Sequence, residues 1–280
     1  MAGGRFYQNV ATQTIAMTPH YDEAIADFVE GIRLVDLWGR MGWADTKRRY
    51  RRTVIGPFWA SFSLAIFVGM MGVVWATIFK IDPKEYLPYL TSGMLVWLLL
   101  SSFITEGCQV FVAAEILIKQ LRIDYSILLF AMVWRNLIAF GHNLLVYLAV
   151  ALYCGVPLNA NTLMIIPGLF FLCLNGIWIA LVLGMLCARF RDFQQVVASL
   201  LQIAIFVTPI FWSPAQLGGA RIALVDANLL YHYVEIVRDP LLGQPSSAES
   251  WLMVGLATIA GWGLAIFLFG RFRRRIAYWL

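Results

Sequence analysis

Long uncharged stretches of apolar residues alternate with short polar segments along most of the chain. A helix needs about 20 mostly apolar residues to cross the hydrocarbon layer of a bilayer, which is about 30 Å thick. Six stretches reach that length, at residues 54–79, 86–105 (continuing to about 113), 125–153, 163–188, 193 to about 212, and 250–270. The pattern therefore predicts an all-α polytopic membrane protein with six transmembrane helices, which form one domain over residues 47–280.

A different pattern precedes the first span, after an N-terminal tail at residues 1–21. In residues 22–46 apolar positions recur at helical spacing, and acidic residues take the opposite face, which predicts an amphipathic helix. Such a helix can lie in the membrane interface, but its acidic face makes docking against protein an equal alternative. The apolar positions are Ile25, Phe28, Val29, Ile32 and Val35, and the acids are Glu23, Asp27 and Glu30.

Two further segments lie outside the spans. Residues 115–122 mix apolar and basic side chains, which predicts a short helix at the membrane surface. Residues 213–249 are too many for a simple turn, and residues 229–237 within them are apolar and aromatic. Backbone at membrane depth must be hydrogen-bonded or line a cavity, so short re-entrant or surface-lying helices are expected there.

Lysine and arginine lie mainly beside the spans, on one side of the predicted membrane. Cytoplasmic flanks carry an excess of both residues in membrane proteins, so both termini are expected in the cytoplasm. The other side would hold only Lys80, Lys84, Arg221 and Arg238. The cytoplasmic set is Lys47, Arg48, Arg49, Arg51, Arg52, Lys119, Arg122, Arg189, Arg191, Arg271, Arg273, Arg274 and Arg275.

Composition agrees with this placement. Only 13% of residues are charged, against about 25% in soluble domains. The net charge of +5 is explained by the basic flanks, so no nucleic-acid partner is expected. No phosphate-cradling loop, nucleophile elbow or H-E-x-x-H motif occurs, and the four cysteines form no C-x-x-C pair. We therefore expect no catalytic, cofactor or metal site in this chain.

The most basic run stands directly before the first span. Arg48, Arg49, Arg51 and Arg52 fall within six positions, followed by Gly56 and Pro57. One interpretation is a topology anchor alone. The other is that these arginines also attract a lipid phosphate, which the guanidinium fork suits.

From this run onward the sequence resembles the permease subunits of ABC-2 type polysaccharide exporters. The similarity covers about residue 30 to the C-terminus and rests on the order and spacing of several short motifs. It departs from the family pattern at Ile116, where an Asn is usual, and at Leu229, where a Pro is usual. The motifs are KRRYRRTVIGPFW at 47–59, LPYLTSGMLVW at 87–97, LIK at 117–119, RFRDF at 189–193, TPIFW at 208–212 and EIVRDPLLG at 235–243.

The resemblance implies a homodimer in the bacterial cytoplasmic (inner) membrane, with two copies of a separate ATPase subunit that bind ATP and Mg²⁺. The cargo would be a polysaccharide on undecaprenyl pyrophosphate, such as O antigen, capsule or teichoic acid. Residues 22–46 and the loop containing Glu115, Lys119 and Arg122 would dock the ATPase. Residues 213–249 would form a periplasmic gate that includes Tyr231, Tyr233 and Arg238.

Aromatic residues and two charges within the spans complete the candidates. Aromatic side chains near span ends form the usual interfacial belt, or they stack on a moving glycan. The channel-lining candidates are Trp59, Tyr86, Tyr89 and Trp97.

Glu106 and Arg135 lie inside spans, where charges are costly and tend to pair with one another. A salt bridge between them is favoured, and a proton-coupled carrier that needs no ATPase is the alternative. A second alternative is an ABC-2 exporter of a small molecule or lipo-oligosaccharide.

Overall fold

A computed structural model describes residues 21–121, 123–214 and 225–280, and no strand occurs among them. Residues 1–20 and 215–224, which include part of the predicted gate segment, lie outside the described residues, as does Arg122. The helices are α1 Tyr21–Arg33, α2 Val35–Arg49, α3 Phe58–Phe79, α4 Pro83–Gln109, α5 Glu115–Leu121, α6 Tyr125–Cys154, α7 Ile165–Arg189 (preceded by a 3₁₀ turn, Ala160–Met164), α8 Phe193–Val207, α9 Leu229–Leu241 and α10 Ala248–Trp279.

Five of these helices are long and apolar enough to cross a membrane: α3, α4, α6, α7 with its 3₁₀ turn, and α10. This confirms the predicted all-α polytopic membrane protein. The predicted fifth span corresponds to α8, which has 15 residues and is about 22 Å long at 1.5 Å per residue. That is shorter than the hydrocarbon layer, so the count of six spans stays a prediction.

The relative direction of α7 and α10 determines the path of the chain between them, which begins with α8. Asn175 on α7 contacts Thr258 on α10 (2.7 Å), and Arg191 just after α7 reaches the carbonyl of Leu280 (3.3 Å). The two helices therefore run parallel. Parallel neighbours require the chain between them to return across the bundle, and the stretch that begins with α8 makes that return.

The end at which α7 and α10 finish is called the basic end here. It carries Lys119, Arg189, Arg191 and residues 271–275, among others. From this end, residues 193–212 lead to the opposite end, where α4 begins. There Tyr86 donates a hydrogen bond to the carbonyl of Phe211 (2.6 Å).

Small residues set the distance between α4 and α7, which also run parallel. A Cβ atom at Gly107 would stand 2.7 Å from the Cα atom of Ala180. Further along, a Cβ at Gly184 would meet the side chains of Val110 and Phe111 at 2.8 to 2.9 Å. Glycine at these positions lets the two backbones approach closely, as is common between membrane helices.

The amphipathic segment differs from its prediction in one way. It is broken at Leu34 into α1 and α2. Within α1, Asp27 faces inward: its carboxylate accepts the backbone N–H groups of Tyr125 (3.2 Å) and Ser126 (2.9 Å) and pairs with Arg273 (2.8 Å). Asp27 lies opposite the exposed apolar residues of α1, and its face is buried against protein. The first N–H groups of α6 need acceptors and Arg273 needs a counter-charge, and Asp27 supplies both.

The opposite side of α1 is exposed and apolar, with Ile25 (52% exposed), Val29 (44%) and Ile32 (62%). Phe28 is the exception, since its ring packs edge-on against Trp262 and Phe269. The segment therefore docks on protein through Asp27 and Phe28, and it presents the other apolar residues outward at the basic end.

Candidate functional site

A cluster of charges links α2, α4 and α6 near the basic end. The carboxylate of Glu106 on α4 accepts hydrogen bonds from Arg49 (2.6 Å), Arg135 (2.7 Å) and Asn136 (2.9 Å). The salt bridge predicted between Glu106 and Arg135 is thereby confirmed. Arg49 lies on α2 and Asn136 on α6, so Glu106 joins three helices.

The second acid of the cluster is Asp45 on α2. It pairs with Arg135 across helices (2.8 Å) and with Arg48 one turn along its own helix. The Nε atom of Arg135 is buried and has no hydrogen-bond partner among the described residues. With three arginines and two acids, the cluster keeps a net charge of +1 and an unused donor.

Arg49 lies outside the spans, and its pKa is raised. Burial alone would lower that pKa, but the hydrogen bond and the negative charge of Glu106 more than offset burial. Arg49 is therefore a permanent cation at this position.

Two cavities adjoin the cluster. The first, called the basic cleft, has a volume of about 600 Å³ and lies between α2, α4, α5 and α6. Its charged and polar lining consists of Asp45, Arg48, Arg49, Glu106, Gln109 and Arg135. A cleft of this size with three arginines can hold an anionic group.

The second cavity, called the chamber, lies between α3, α4 and α6 and has a volume of about 490 Å³. Its lining is apolar for the most part, with residues such as Leu64, Phe67 and Met94. Hydroxyl and amide groups interrupt that lining at Ser63, Ser102, Asn136 and Asn143. Arg49 and Tyr50 line it at the side that faces α2.

The four arginines proposed from the sequence separate into two pairs. Arg48 and Arg49 line the basic cleft and each pairs with an acid. Arg51 and Arg52 follow α2 and are exposed. They line neither cavity among the described residues.

The four channel candidates also differ in their surroundings. Trp59 on α3 is 56% exposed. Tyr86 and Trp97 are buried in an apolar cluster between α3, α4 and the end of α8. Tyr89 is partly buried, and its hydroxyl lies within hydrogen-bond distance of two acceptors, the carbonyls of Pro209 (3.1 Å) and Trp212 (3.0 Å). In this conformation Trp59 is thus the most accessible of the four.

The gate candidates lie on α9, at the end opposite the basic end. Arg238 is buried, and it donates to the Tyr89 hydroxyl (2.9 Å) and the Pro209 carbonyl (2.7 Å). Its guanidinium also stands 4.5 Å from the centre of the Tyr89 ring and 5.9 Å from that of Tyr231. One side chain therefore connects α9 with α4 and with the segment after α8.

The rest of α9 is fixed by buried polar contacts. The Tyr233 hydroxyl donates to Asn175 on α7 (2.8 Å), and Asn175 also binds Thr258 on α10. Glu235 accepts a hydrogen bond from Ser250. Burial raises the pKa of Asp239 to about 7, Arg238 opposes that rise, and the nearby Glu235 adds to it.

The short helix predicted from residues 115–122 is present as α5, Glu115–Leu121. Glu115 and Lys119 form an ion pair one turn apart (2.7 Å), and Lys119 lowers the pKa of Glu115. Ile116 and Leu121 are 72% and 65% exposed. An apolar surface with adjacent charges therefore stands at the basic end.

Sequence reasoning missed several residues of this site, chiefly Asp45, Asn136 and Asn175. Each forms cross-helix hydrogen bonds to a candidate residue or lies next to one. Asp45 had a signal, because it is the acid that immediately precedes the basic run. The two asparagines had the signal of polar residues inside apolar spans.

A family model described as ABC-2 type transporter matches residues 37–242, which include α2 to α9 and thus the charged cluster, both cavities and the gate candidates. The chain belongs to the ABC-2 type transporter family. A comparison with curated protein sequences finds no match. As an ABC-2 protein, the chain is the multi-pass membrane permease component of an ABC transporter. Such permeases are usually paired with an ATP-binding subunit.

Proposed function

We propose that this ABC-2 permease exports a polysaccharide linked to undecaprenyl pyrophosphate across the bacterial cytoplasmic membrane. It would act as a homodimer with two ATPase subunits, which bind ATP and Mg²⁺. The observation that carries the proposal is the basic cleft, because its three arginines lie near the basic end, where a lipid phosphate would enter from the cytoplasmic leaflet. Both chain termini would be cytoplasmic, on the same side as the cleft.

Arginine suits this cargo for a physical reason. A pyrophosphate head group carries several oxygens that a guanidinium can bind in pairs. Arg51 and Arg52, exposed at the membrane surface, would attract anionic lipid, with each basic residue contributing roughly 1 kcal/mol. Arg48 and Arg49 would then receive the head group in the cleft.

Coupling to the ATPase is assigned to α5. Its exposed Ile116 and Leu121 form an apolar contact surface, and Lys119 adds charge beside it. A movement of α5 reaches the cleft directly, because Ile116 and Leu117 also line it. ATP binding shifts the permease only if the ATP-bound partner prefers one of its conformations.

The outer gate is assigned to α9. Arg238 holds α9 to Tyr89 and Pro209, so release of these contacts would free a path at that end. Tyr231 and Trp59 are the aromatic surfaces proposed for the glycan. Tyr233 anchors α9 through Asn175.

The test is co-expression with an ABC ATPase subunit from the same organism, followed by purification and measurement of ATP hydrolysis with and without lipid-linked glycan. A stable complex whose hydrolysis responds to glycan is the expected result. Ile116→Asp should abolish the complex, while Leu158→Asp, an exposed apolar change at the opposite end, should leave it intact. If ATP hydrolysis by the complex responds to a small amphiphile but not to glycan, the proposed cargo changes from a polysaccharide to a small molecule. A chain that forms no complex would refute the proposal.

A further inference from the structure

Arg49 occupies a special place between the two cavities. Among the described residues, it alone lines both the basic cleft and the chamber. Its guanidinium is held by the carboxylate of Glu106, whose side chain is 20% exposed. The ion pair between Arg49 and Glu106 therefore stands at the boundary of two spaces of about 600 and 490 Å³.

The chamber has the composition of a site for an amphiphile. Leu64, Phe67 and Met94 offer apolar surface to a hydrocarbon chain. The side-chain amide of Asn143 offers N–H donors to polar oxygens, since its own oxygen accepts from Ser61. Ligand sites in proteins combine a largely apolar wall with a few convergent polar groups in this way.

We propose that the chamber binds the phosphate end of a phosphorylated lipid, and that the phosphate takes the place of Glu106 on Arg49. The inference rests on the proposed function for the nature of the cargo, and it adds a site within one copy of the chain. The point at which Arg49 joins the basic cleft to the chamber is called the passage here. In the ligand-free protein, the ion pair between Arg49 and Glu106 occupies the passage.

The exchange leaves no charge without a partner. When phosphate binds Arg49, Glu106 keeps its hydrogen bonds from Arg135 (2.7 Å) and Asn136 (2.9 Å). Arg135 keeps Asp45 as well. Because an unpaired buried charge is what makes such exchanges costly, this arrangement permits the swap.

A surface site on Arg51 and Arg52 is the competing location for the same ligand. Those arginines are exposed, and they line neither the basic cleft nor the chamber. The two locations make opposite predictions for Glu106. At the passage Glu106 competes with phosphate for Arg49, whereas a surface site is indifferent to it.

The experiment measures binding of farnesyl diphosphate to the purified full-length chain in detergent, by isothermal titration calorimetry, with farnesol as the uncharged reference. Arg49→Gln should weaken binding at least tenfold. Glu106→Gln should strengthen it several-fold, because Arg49 loses its competitor. Arg40→Gln, which removes an exposed arginine of the same helix outside both cavities, is the matched control and should change affinity less than twofold.

A further variant leaves every residue of the charged cluster unchanged, so its effect on binding does not arise from a broken ion pair. Ala139→Phe narrows the chamber, keeps every charged side chain, and should weaken binding. Unchanged or weaker binding in folded Glu106→Gln would overturn the proposal. So would equal binding of farnesol, or a loss confined to Arg51→Gln and Arg52→Gln. Binding at Arg49 without an ATPase complex would instead leave this site standing and refute the proposed function.

Discussion

Glu106 is either part of a structural ion cluster or a proton relay. Replacing Glu106 by Gln distinguishes these two roles. The substitution keeps the shape of the side chain and removes its charge. Arg49 then loses its acid partner, and Arg135 keeps only Asp45. Asn136 can still donate to the amide oxygen.

The magnitude follows from the geometry. At contact distance one ion pair is worth about 4 kcal/mol at an effective dielectric constant near 20. Breaking a fully buried pair costs about 3–5 kcal/mol. Glu106 and Arg135 keep 20% and 18% of their side-chain surface exposed, and the Arg49 side chain is 49% exposed. Solvent screening therefore reduces the expected loss to about 2 kcal/mol, or roughly 5 °C in Tm for a chain of this size.

The assay is thermal unfolding of the purified protein in detergent, followed by tryptophan fluorescence, together with a double-mutant cycle. Arg135→Gln alone should cost a similar amount, and the double variant should cost less than the sum by about 1–2 kcal/mol. Arg40→Gln serves as the charge-removal control.

One result would refute the reasoning. If Glu106→Gln keeps full stability and additive behaviour with Arg135→Gln, but abolishes transport driven by a proton gradient without any ATPase, then Glu106 carries protons. The ion cluster would then be secondary, and the carrier alternative raised from the sequence would replace the ABC-2 mechanism.

Three further outcomes are expected elsewhere in the chain. Gly107→Val should lower Tm by several degrees, because its Cβ would stand 2.7 Å from the backbone of α7, whereas Gly141→Ala, with no atom near its added Cβ, should raise or keep it. Asp27→Ala should cost about 2–3 kcal/mol, since the first N–H groups of α6 lose their acceptor and Arg273 loses one of its acidic partners, and amide hydrogen exchange at the start of α6 should accelerate. Burial raises the pKa of Asp239 to about 7 from an unfolded value near 3.9, so the packing of α9 is strongest below pH ~4 and weakens as the pH rises from there to about 7. Exchange of α9 amides, corrected for intrinsic rates, should therefore increase from pH 5 to pH 8. Asp239→Asn should remove that increase.

The sequence by itself determined the class of protein and the positions of most helices. The transmembrane spans could be predicted because a bilayer requires about 20 consecutive apolar residues, which is a local property of the chain. The ion pair of Glu106 and Arg135 could be predicted for a related reason. Charged side chains inside spans need partners of opposite charge, and the spans contain few other charged residues. The ends of the helices shifted by several residues: the first span begins at Phe58 rather than at residue 54.

Only the tertiary structure decided which partners those polar groups take. Periodicity placed Asp27 on the acidic face of the helix, because it reports the polarity of a side chain and not its neighbours. It lies inside because α6 and Arg273, 246 positions away, satisfy it. Arg49 joins Glu106 across 57 positions, which no local pattern encodes. Burial of a polar group depends on whether packing brings a donor or acceptor to it, and that is settled only when distant helices meet.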